Sequence, residues 1–215
     1  MHRTAASQSD HCRFAPPALH HDHQPKGSSR ARPAHGPVAS LWLYDLHVTA
    51  DLPTTSRYPS SREATGIETS AMSAALDEAR LALGHGDVPV GAVVLVGDEI
   101  VARRHNEREL SRDPTAHAEV LALRDAAAAI GSWRLGDATL VVTLEPCAMC
   151  AGACISARLG RLVFGAPDTK AGACGSLYNL CADPRLNHEI ALIGGVEADR
   201  SAEMVEGFFQ ALRRA

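Results

Sequence analysis

The sequence predicts a three-layer α/β/α sandwich built around a mixed five-stranded sheet. A hairpin of two strands opens the folded part of the chain, and helices alternate with strands after it, which is the pattern of a sheet covered by helices on its faces. The composition agrees, since 46% hydrophobic and 21% charged residues are typical of an ordinary globular chain. A length of 215 residues suits one such domain with an additional segment.

The first helix and the hairpin have the clearest local signals. Apolar residues recur at helical spacing from Met72 to Leu83, and the helix is expected to stop in the glycine-containing segment 84–87. The apolar run 90–96 and the run 99–105 then flank the turn residues Gly97-Asp98. This spacing predicts a tight antiparallel hairpin.

The remaining elements follow in chain order. They are a polar loop over 106–115, a helix over 116–130 that ends at Gly131, a strand over 138–143, a helix over 148–157, a strand over 161–165, an irregular loop to about 187, a strand over 189–193, and a last helix with Ser201 as its N-cap.

Residues 1–62 differ in composition from the rest of the chain. The first 60 residues hold seven of the 12 prolines, seven of the 11 histidines, and six Lys and Arg against four Asp. Such a segment buries too little apolar surface to offset its ordering entropy, so we expect a disordered extension over 1–62 and a folded domain over 63–215. Its apolar cluster at 41–48 lies too far from Met1 for a secretory signal. A misassigned translation start and an organelle transit peptide remain alternative interpretations.

Charge and cysteine usage exclude several classes of protein. The formal net charge of −4 lacks the basic footprint of many nucleic-acid binders, so any RNA must bind at a local site. No stretch approaches the roughly 18 consecutive apolar residues of a membrane span, and we expect no membrane association. Five of the six cysteines fall within 147–181 and include one C-x-x-C pair. Without a signal peptide, this usage indicates reduced thiols in the cytoplasm.

Two predicted junctions between elements carry the groups of a metal site. One reads His117-Ala118-Glu119, and the other contains Cys147 and Cys150, which share one face of a helix start. One imidazole and two thiolates resemble an open tetrahedral zinc site with water in the fourth position, where the pKa of the water falls to about 7. Glu119 then stands beside the site as a general acid or base.

Three other interpretations compete with a catalytic zinc site. A redox pair would use Cys147 and Cys150 and leave His117 and Glu119 without a role. A closed structural zinc site could take Cys154, one helical turn after Cys150, as its fourth ligand. Buried thiols beside a core histidine would need no metal.

The wider sequence resembles the zinc-dependent nucleoside and nucleobase deaminase superfamily, whose signature is HAE followed by PCxxC. Longer segments are similar to the bacterial tRNA-specific adenosine deaminases of the TadA family: 88–93, 113–119, 143–153, 163–172 and 187–190. The resemblance runs from about Ile67 to Arg214. It implies the cytidine deaminase-like form of the predicted sandwich.

The resemblance also implies an activity. This is hydrolytic deamination of the wobble adenosine of an arginine tRNA with an ACG anticodon, which gives inosine. It implies a Zn²⁺ ion in each subunit, held by His117, Cys147 and Cys150, with Glu119 as the proton shuttle. It further implies a homodimer that acts on the tRNA anticodon stem-loop in the cytoplasm.

Four substrate contacts follow from the same resemblance. Asn106 matches the base-holding asparagine of the family, Val90 would pack against the base, and Asp168 with Lys170 would wall the site near the ribose and backbone. From the residues alone, each of these has an ordinary interpretation: Asn106 as a turn residue, Val90 as a core residue of a strand, and Asp168 and Lys170 as solvated loop charges.

Two aromatic and two basic residues near the C-terminus resemble a family helix that borders the anticodon loop: Phe208, Phe209, Arg213 and Arg214. One aromatic is expected to be exposed and to stack on a base, whereas the alternative is a frayed terminal helix.

Two rival functions remain. Guanine deaminases share the DPTAHAE and PCxMC segments, and a zinc-stabilised RNA-binding module would need no catalysis, although Glu119 argues against it.

Overall fold

The computed structural model describes residues 63–214, and the predicted extension over 1–62 lies outside the described residues. The described part contains five strands: β1 (Gly91–Val96), β2 (Glu99–His105), β3 (Ala138–Leu144), β4 (Arg161–Ala166) and β5 (Ala191–Ile193). They form one sheet in the order β2-β1-β3-β4-β5. Strand β1 is antiparallel to β2 and β3, whereas β3, β4 and β5 run parallel to one another. The predicted mixed sheet is therefore confirmed.

Helices cover both faces of this sheet. They are α1 (Gly66–Ala82), α2 (Arg108–Ser111), α3 (Ala118–Ile130), α4 (Ala148–Ser156) and α5 (Ala198–Arg214). Successive strand residues point to opposite faces. Accordingly Val93 and Leu95 pack in a cluster with residues of α1 and α5, while Ala92 and Val94 pack with residues of α3 and α4. The three-layer α/β/α prediction is confirmed.

Helix α1 begins earlier than its apolar periodicity suggests. Thr65 caps it, because the Thr65 hydroxyl accepts from the Glu68 backbone N–H and the Glu68 carboxylate accepts from the Thr65 N–H. This reciprocal pair satisfies two backbone donors at the helix start. Arg161, at the first position of β4, also bonds the Glu68 carboxylate. The cap therefore also ties α1 to the sheet.

Three local predictions were wrong. The predicted loop over 106–115 contains the short helix α2. Helix α3 begins at Ala118, because His117 is extended and acts as its N-cap residue. Ser201 is not an N-cap: α5 begins at Ala198, and the buried Ser201 packs against Gly165, where a Cβ would lie 2.4 Å from the Ser201 hydroxyl. Close contact with the sheet, and not helix capping, explains a small residue at 201.

The topology brings the polar junctions to one edge of the sheet. The N-terminal ends of α3 and α4 meet where β3 ends, and the chain that follows β4 returns to the same edge through a backbone bridge between Cys147 and Gly172. In open α/β sheets ligands bind outside the carboxyl ends of strands. Within the described part of the chain, no helix is both long enough and apolar enough to cross a membrane.

Candidate metal centre and active site

Three predicted ligands converge at the start of two helices. His117 precedes α3 and Cys147 precedes α4, and neither helix has a side-chain cap, so the first N–H groups of both helices have no capping acceptor. Cys150 follows one turn into α4. The Cys147 and Cys150 sulfurs lie 3.7 Å apart, and His117 Nδ1 lies 3.8 Å from Cys147 Sγ and 3.4 Å from Cys150 Sγ. The structure thus brings all three together.

The spacing of these donor atoms fits a tetrahedral zinc ion. With Zn–S near 2.3 Å and Zn–N near 2.0–2.1 Å, tetrahedral angles separate two sulfurs by about 3.8 Å and a sulfur from a nitrogen by about 3.5 Å. The observed separations of 3.4–3.8 Å match these values. Among the described residues this is the one cluster of three or more possible ligands, and Cys154 is not part of it. The donor set is that of an open site and does not support a closed four-ligand site.

The electrostatics of the cluster favour a deprotonated ligand. The hydrogen bond shared with Cys150, reinforced by His117, lowers the pKa of Cys147 to about 4. The same bond, together with burial, raises the pKa of Cys150. Because the thiolate is the form that binds a metal, Cys147 is already in the binding form at neutral pH. Two helix N-termini add favourable positive potential for that charge.

Glu119 lies in the first turn of α3 and lines the same cavity as His117 and Cys147. Its side chain is almost fully buried, with 4% relative exposure. Burial raises the pKa of Glu119 above its usual value, because a charged carboxylate loses solvation there. A buried carboxyl group beside a metal site can take up and release a proton, which is the behaviour expected of a general acid and base.

The cavity has a volume of about 240 Å³ and reaches from these residues to the surface. Its size is close to the lower end of small-molecule sites, about 300 Å³, and suits a flat ring system. Val90 forms part of its wall and packs in the apolar core. Asn106 lies in the same wall. Its Nδ2 donates to the Val88 carbonyl, and its Oδ1 is buried without a hydrogen-bond partner. A buried acceptor atom without a partner in the wall of a cavity is a position where a bound molecule can donate a hydrogen bond.

Asp168 and Lys170 lie on the loop that closes the other side of the cavity. Asp168 Oδ1 accepts from the backbone N–H groups of Lys170 and Ala171 at 2.9 and 3.0 Å. The Asp168 carboxylate therefore stabilises the turn that contains Lys170, through hydrogen bonds to the loop backbone. Lys170 is exposed at the cavity mouth.

Glu145, for which no role was predicted from the sequence, anchors this loop. The buried Glu145 carboxylate accepts from the backbone N–H groups of Asp168, Cys174 and Ser176 at 2.9–3.0 Å, and from the Ser176 hydroxyl. Gly172 packs directly on it, since a Cβ there would lie 2.4 Å from Glu145 Cδ. The only sign of this anchoring role in the sequence is that a charged residue directly follows an apolar strand.

Helix α5 and the start of α2 complete the cavity rim. Val205, Phe209 and Arg108 line it, and Arg108 was not predicted to do so. Phe208 and Phe209 are both half-buried, with ring centroids 5.3 Å apart in an edge-to-face arrangement. The expectation that one of the two would be exposed was wrong, since both are half-buried and the two rings contact each other.

The chain is similar in sequence to known deaminases. The family model for MafB19-like deaminases matches residues 68–213. The chain is 46% identical over 143 residues to the tRNA-specific adenosine deaminase of Bacillus subtilis (strain 168), covering 66% of this chain and 89% of that relative. It is also 46% identical over 141 residues to the enzyme of the same name from Haemophilus influenzae (strain ATCC 51907 / DSM 11121 / KW20 / Rd), covering 65% and 81%.

Solved structures share the fold. One, from a study of A-to-I editing by tRNA:A34 deaminases at the wobble position of transfer RNA, is 42% identical with a TM-score of 0.61, covering 63% of this chain and 99% of that one. A guanine deaminase from Nitrosomonas europaea has a TM-score of 0.58, covering 71% and 89%. At 23% identity that second likeness shows the fold alone.

Proposed function

This chain belongs to the family of tRNA-specific adenosine deaminases, and we propose that it converts the wobble adenosine of an arginine tRNA with an ACG anticodon to inosine. The reaction is a hydrolytic deamination: water adds at C6 of the adenine, the bond from C6 to the exocyclic nitrogen breaks, and ammonia leaves. The observation that carries the proposal is a single cavity lined by the buried Glu119 and by two members of the His-Cys-Cys donor cluster, His117 and Cys147.

The donor triangle supports Zn²⁺ as the resident metal. His117, Cys147 and Cys150 supply three ligands of the types and separations that zinc takes, and leave a fourth position open. When bound, the ion acts as a Lewis acid that makes water a better nucleophile near neutral pH.

Glu119 carries the proton transfers. Its carboxylate accepts a proton from the attacking water, holds it in a buried position where the neutral form is favoured, and returns it to the nitrogen that leaves. Burial raises the pKa of Glu119, so the protonated carboxyl group is more accessible than it would be in water, which suits a group that must hold and then return a proton. Glu119 is thus the catalytic residue of the chain.

Asn106 and Val90 hold the base. The unpaired Asn106 Oδ1 accepts an N–H from the purine edge while its amide nitrogen remains fixed on the Val88 carbonyl. Val90 supplies apolar contact in the same wall. Because an unpaired buried acceptor is costly, a base that offers a donor there gains affinity over one that does not.

The RNA around the base meets local cations and an aromatic ring. The chain has a net charge of −4, so bulk attraction to phosphate is weak, and binding depends on the cavity mouth. Lys170 and Arg108 stand at that mouth, and Phe209 offers a face for an unstacked base. Arg213 and Arg214 follow Phe209 in the last turn of α5 and add two positive charges to the end of this helix.

We also infer a homodimer that works in the cytoplasm. Large apolar side chains are exposed next to the zinc ligands and the loop, among them Met149, Leu177 and Tyr178. Large apolar side chains that a single domain leaves exposed can be buried at a protein interface. Sedimentation of the purified chain should give twice the mass of the monomer.

The substrate test compares two reactions. The purified zinc-loaded chain is incubated with an ACG anticodon stem-loop and, separately, with free guanine, and the products are separated by liquid chromatography. We expect inosine in the stem-loop and no xanthine. Rapid formation of xanthine without inosine would instead assign the chain to purine base deamination.

The role of Glu119 is tested by Glu119→Gln, with Glu99→Gln as a matched control on the exposed surface of β2. We expect Glu119→Gln to keep its zinc and to lose editing by at least about 100-fold, the usual contribution of acid–base catalysis. The control should edit normally. Loss of zinc from Glu119→Gln would show that Glu119 is a ligand.

A further inference from the structure

The carboxylate of Asp87 spans two segments that are distant in sequence. Its side chain is buried, with 1% relative exposure. Oδ1 accepts from the Glu109 N–H at 2.8 Å, and Oδ2 accepts from the Leu110 N–H at 3.1 Å. Helix α2 has no cap of its own, since the Glu107 side chain at its start makes no capping bond. Asp87 therefore replaces the missing N-cap from outside the helix.

His85 fixes the Asp87 side chain from the other side. Its Nδ1 lies 2.9 Å from Asp87 Oδ2. Gly86 makes this possible with φ at 77°, a left-handed conformation that turns the chain between the two residues. The His85 ring also packs on the His105 ring, with centroids 5.3 Å apart, and His105 Nδ1 lies 3.2 Å from a Glu78 carboxylate oxygen on α1. A continuous network thus runs from α1 to α2.

This network supports one wall of the cavity without entering it. The segment after Asp87 is joined to the segment before α2 by two bonds, from Asn106 Nδ2 to the Val88 carbonyl at 3.2 Å and from the Asn106 N–H to the Val90 carbonyl at 2.9 Å. Val88, Val90, Asn106 and Arg108 line the cavity, whereas Asp87 does not. The Asp87 bonds to α2 are the third connection between the two segments.

We propose that Asp87 is a positioning residue for the substrate: its carboxylate sets the wall that carries Asn106 and Arg108, and so controls how tightly the RNA is held. The inference rests on the proposed deamination of a tRNA anticodon loop. Without the Asp87 carboxylate, the first N–H groups of α2 lose their buried acceptors. Helix α2 then shifts toward solvent, and Arg108 moves away from the mouth. Glu119 and the zinc ligands lie on other elements and keep their geometry.

The test compares Asp87→Asn with Asp77→Asn, which removes the same charge from an exposed site on α1 where Asp77 pairs with Arg80. Single-turnover editing is measured over a range of ACG stem-loop concentrations on the zinc-loaded full chain. For Asp87→Asn we expect the half-saturating concentration to rise about tenfold, with the maximal rate and zinc content close to wild type, because the lost bond affects binding and not the proton transfers. Asp77→Asn should match wild type.

Two results would overturn the inference. One is a half-saturating concentration for Asp87→Asn within about twofold of wild type, because the loss of one charge-assisted bond should change this concentration by roughly tenfold or more. The other is a loss confined to the maximal rate or to the fraction edited, which would mean that Asp87 only stabilises the fold. Asp87→Ala should show a larger increase than Asp87→Asn if it folds; the asparagine variant carries the test alone if it does not. If the wild-type chain itself edits no stem-loop, the proposed function is wrong. If the wild-type chain edits and only the Asp87→Asn result differs from expectation, the proposed function stands and the role of Asp87 is wrong.

Discussion

Replacing Glu145 by glutamine should destabilise the whole domain, because both carboxylate oxygens are used. Oε1 accepts from the N–H groups of Cys174 and Ser176, and Oε2 accepts from the Asp168 N–H and the Ser176 hydroxyl. Glutamine has nearly the same shape but turns one oxygen into a donor. With the amide nitrogen in the Oε1 position, the bonds from the Cys174 and Ser176 N–H groups are lost; in the Oε2 position, the bond from the Asp168 N–H is lost, because the Ser176 hydroxyl can turn and accept from the amide.

The size of the loss follows from the kind of bond. A hydrogen bond to a charged group contributes roughly 1.5–3 kcal/mol to stability, so the loss of even one such bond costs about that much. This is a large part of the free energy of unfolding of a typical domain, about 5–15 kcal/mol. Glu145 is 2% exposed, so water cannot replace the missing partners. The effect should reach the core, because Cys174 and its neighbour Ala173 are themselves buried.

Urea unfolding at neutral pH, followed by circular dichroism, measures this free energy directly. Glu99→Gln is the matched control, since it makes the same chemical change at an exposed position on β2. We expect the control to change the free energy of unfolding by no more than about 0.5 kcal/mol. If Glu145→Gln changed it equally little, the loop could not depend on these bonds, and the anchoring role of Glu145 would be refuted.

Three further predictions concern the metal site, the pH dependence of stability and the N-terminal extension. Cys154→Ala should keep a full complement of zinc by elemental analysis and edit normally, because Cys154 is not part of the donor cluster; loss of zinc would restore a closed structural site. Burial alone would raise the pKa of Glu68, but the hydrogen bonds from Arg161 and Thr65 bring it below its usual 4.5. The stability that Glu68 contributes should therefore be present above pH 4.5 and be lost as the pH falls below it, so wild type and Glu68→Gln should differ in urea unfolding at pH 7 and converge in acid; a constant difference would contradict the assignment. A chain that begins at Arg62 should unfold and edit like the full chain, since the Pro- and His-rich segment offers little apolar surface to bury, whereas a large loss of activity would show that the extension binds substrate or a partner.

The sequence predicted the parts of the fold that depend on local pattern. A continuous apolar run predicted β1, helical spacing predicted the body of α1, and Gly97-Asp98 predicted the turn of the hairpin. The metal cluster was predictable for the same reason, because Cys147 and Cys150 are one helical turn apart and His117 marks a second helix start. Each of these signals is confined to a few residues, although the two helix starts of the metal cluster are 30 positions apart in sequence.

The missed features depend on contacts between segments far apart in sequence. Asp87 bonds residues 22 and 23 positions away, and Glu145 bonds residues up to 31 positions away. A buried carboxylate has no periodic signature, and its partners are backbone N–H groups that any residue type can supply. Helix α2 was missed for a related reason, since its N-terminal acceptor is Asp87 and not a residue beside it.

The source of the new oxygen atom tests the central claim most directly. Wild-type chain loaded with zinc is allowed to react with an ACG stem-loop in water enriched in oxygen-18, and the wobble nucleoside is analysed by mass spectrometry after digestion. Hydrolytic deamination predicts inosine that carries the heavy oxygen at C6 and an equal amount of ammonia. Unchanged adenosine at the wobble position, with labelled xanthine formed from added guanine, would contradict the account.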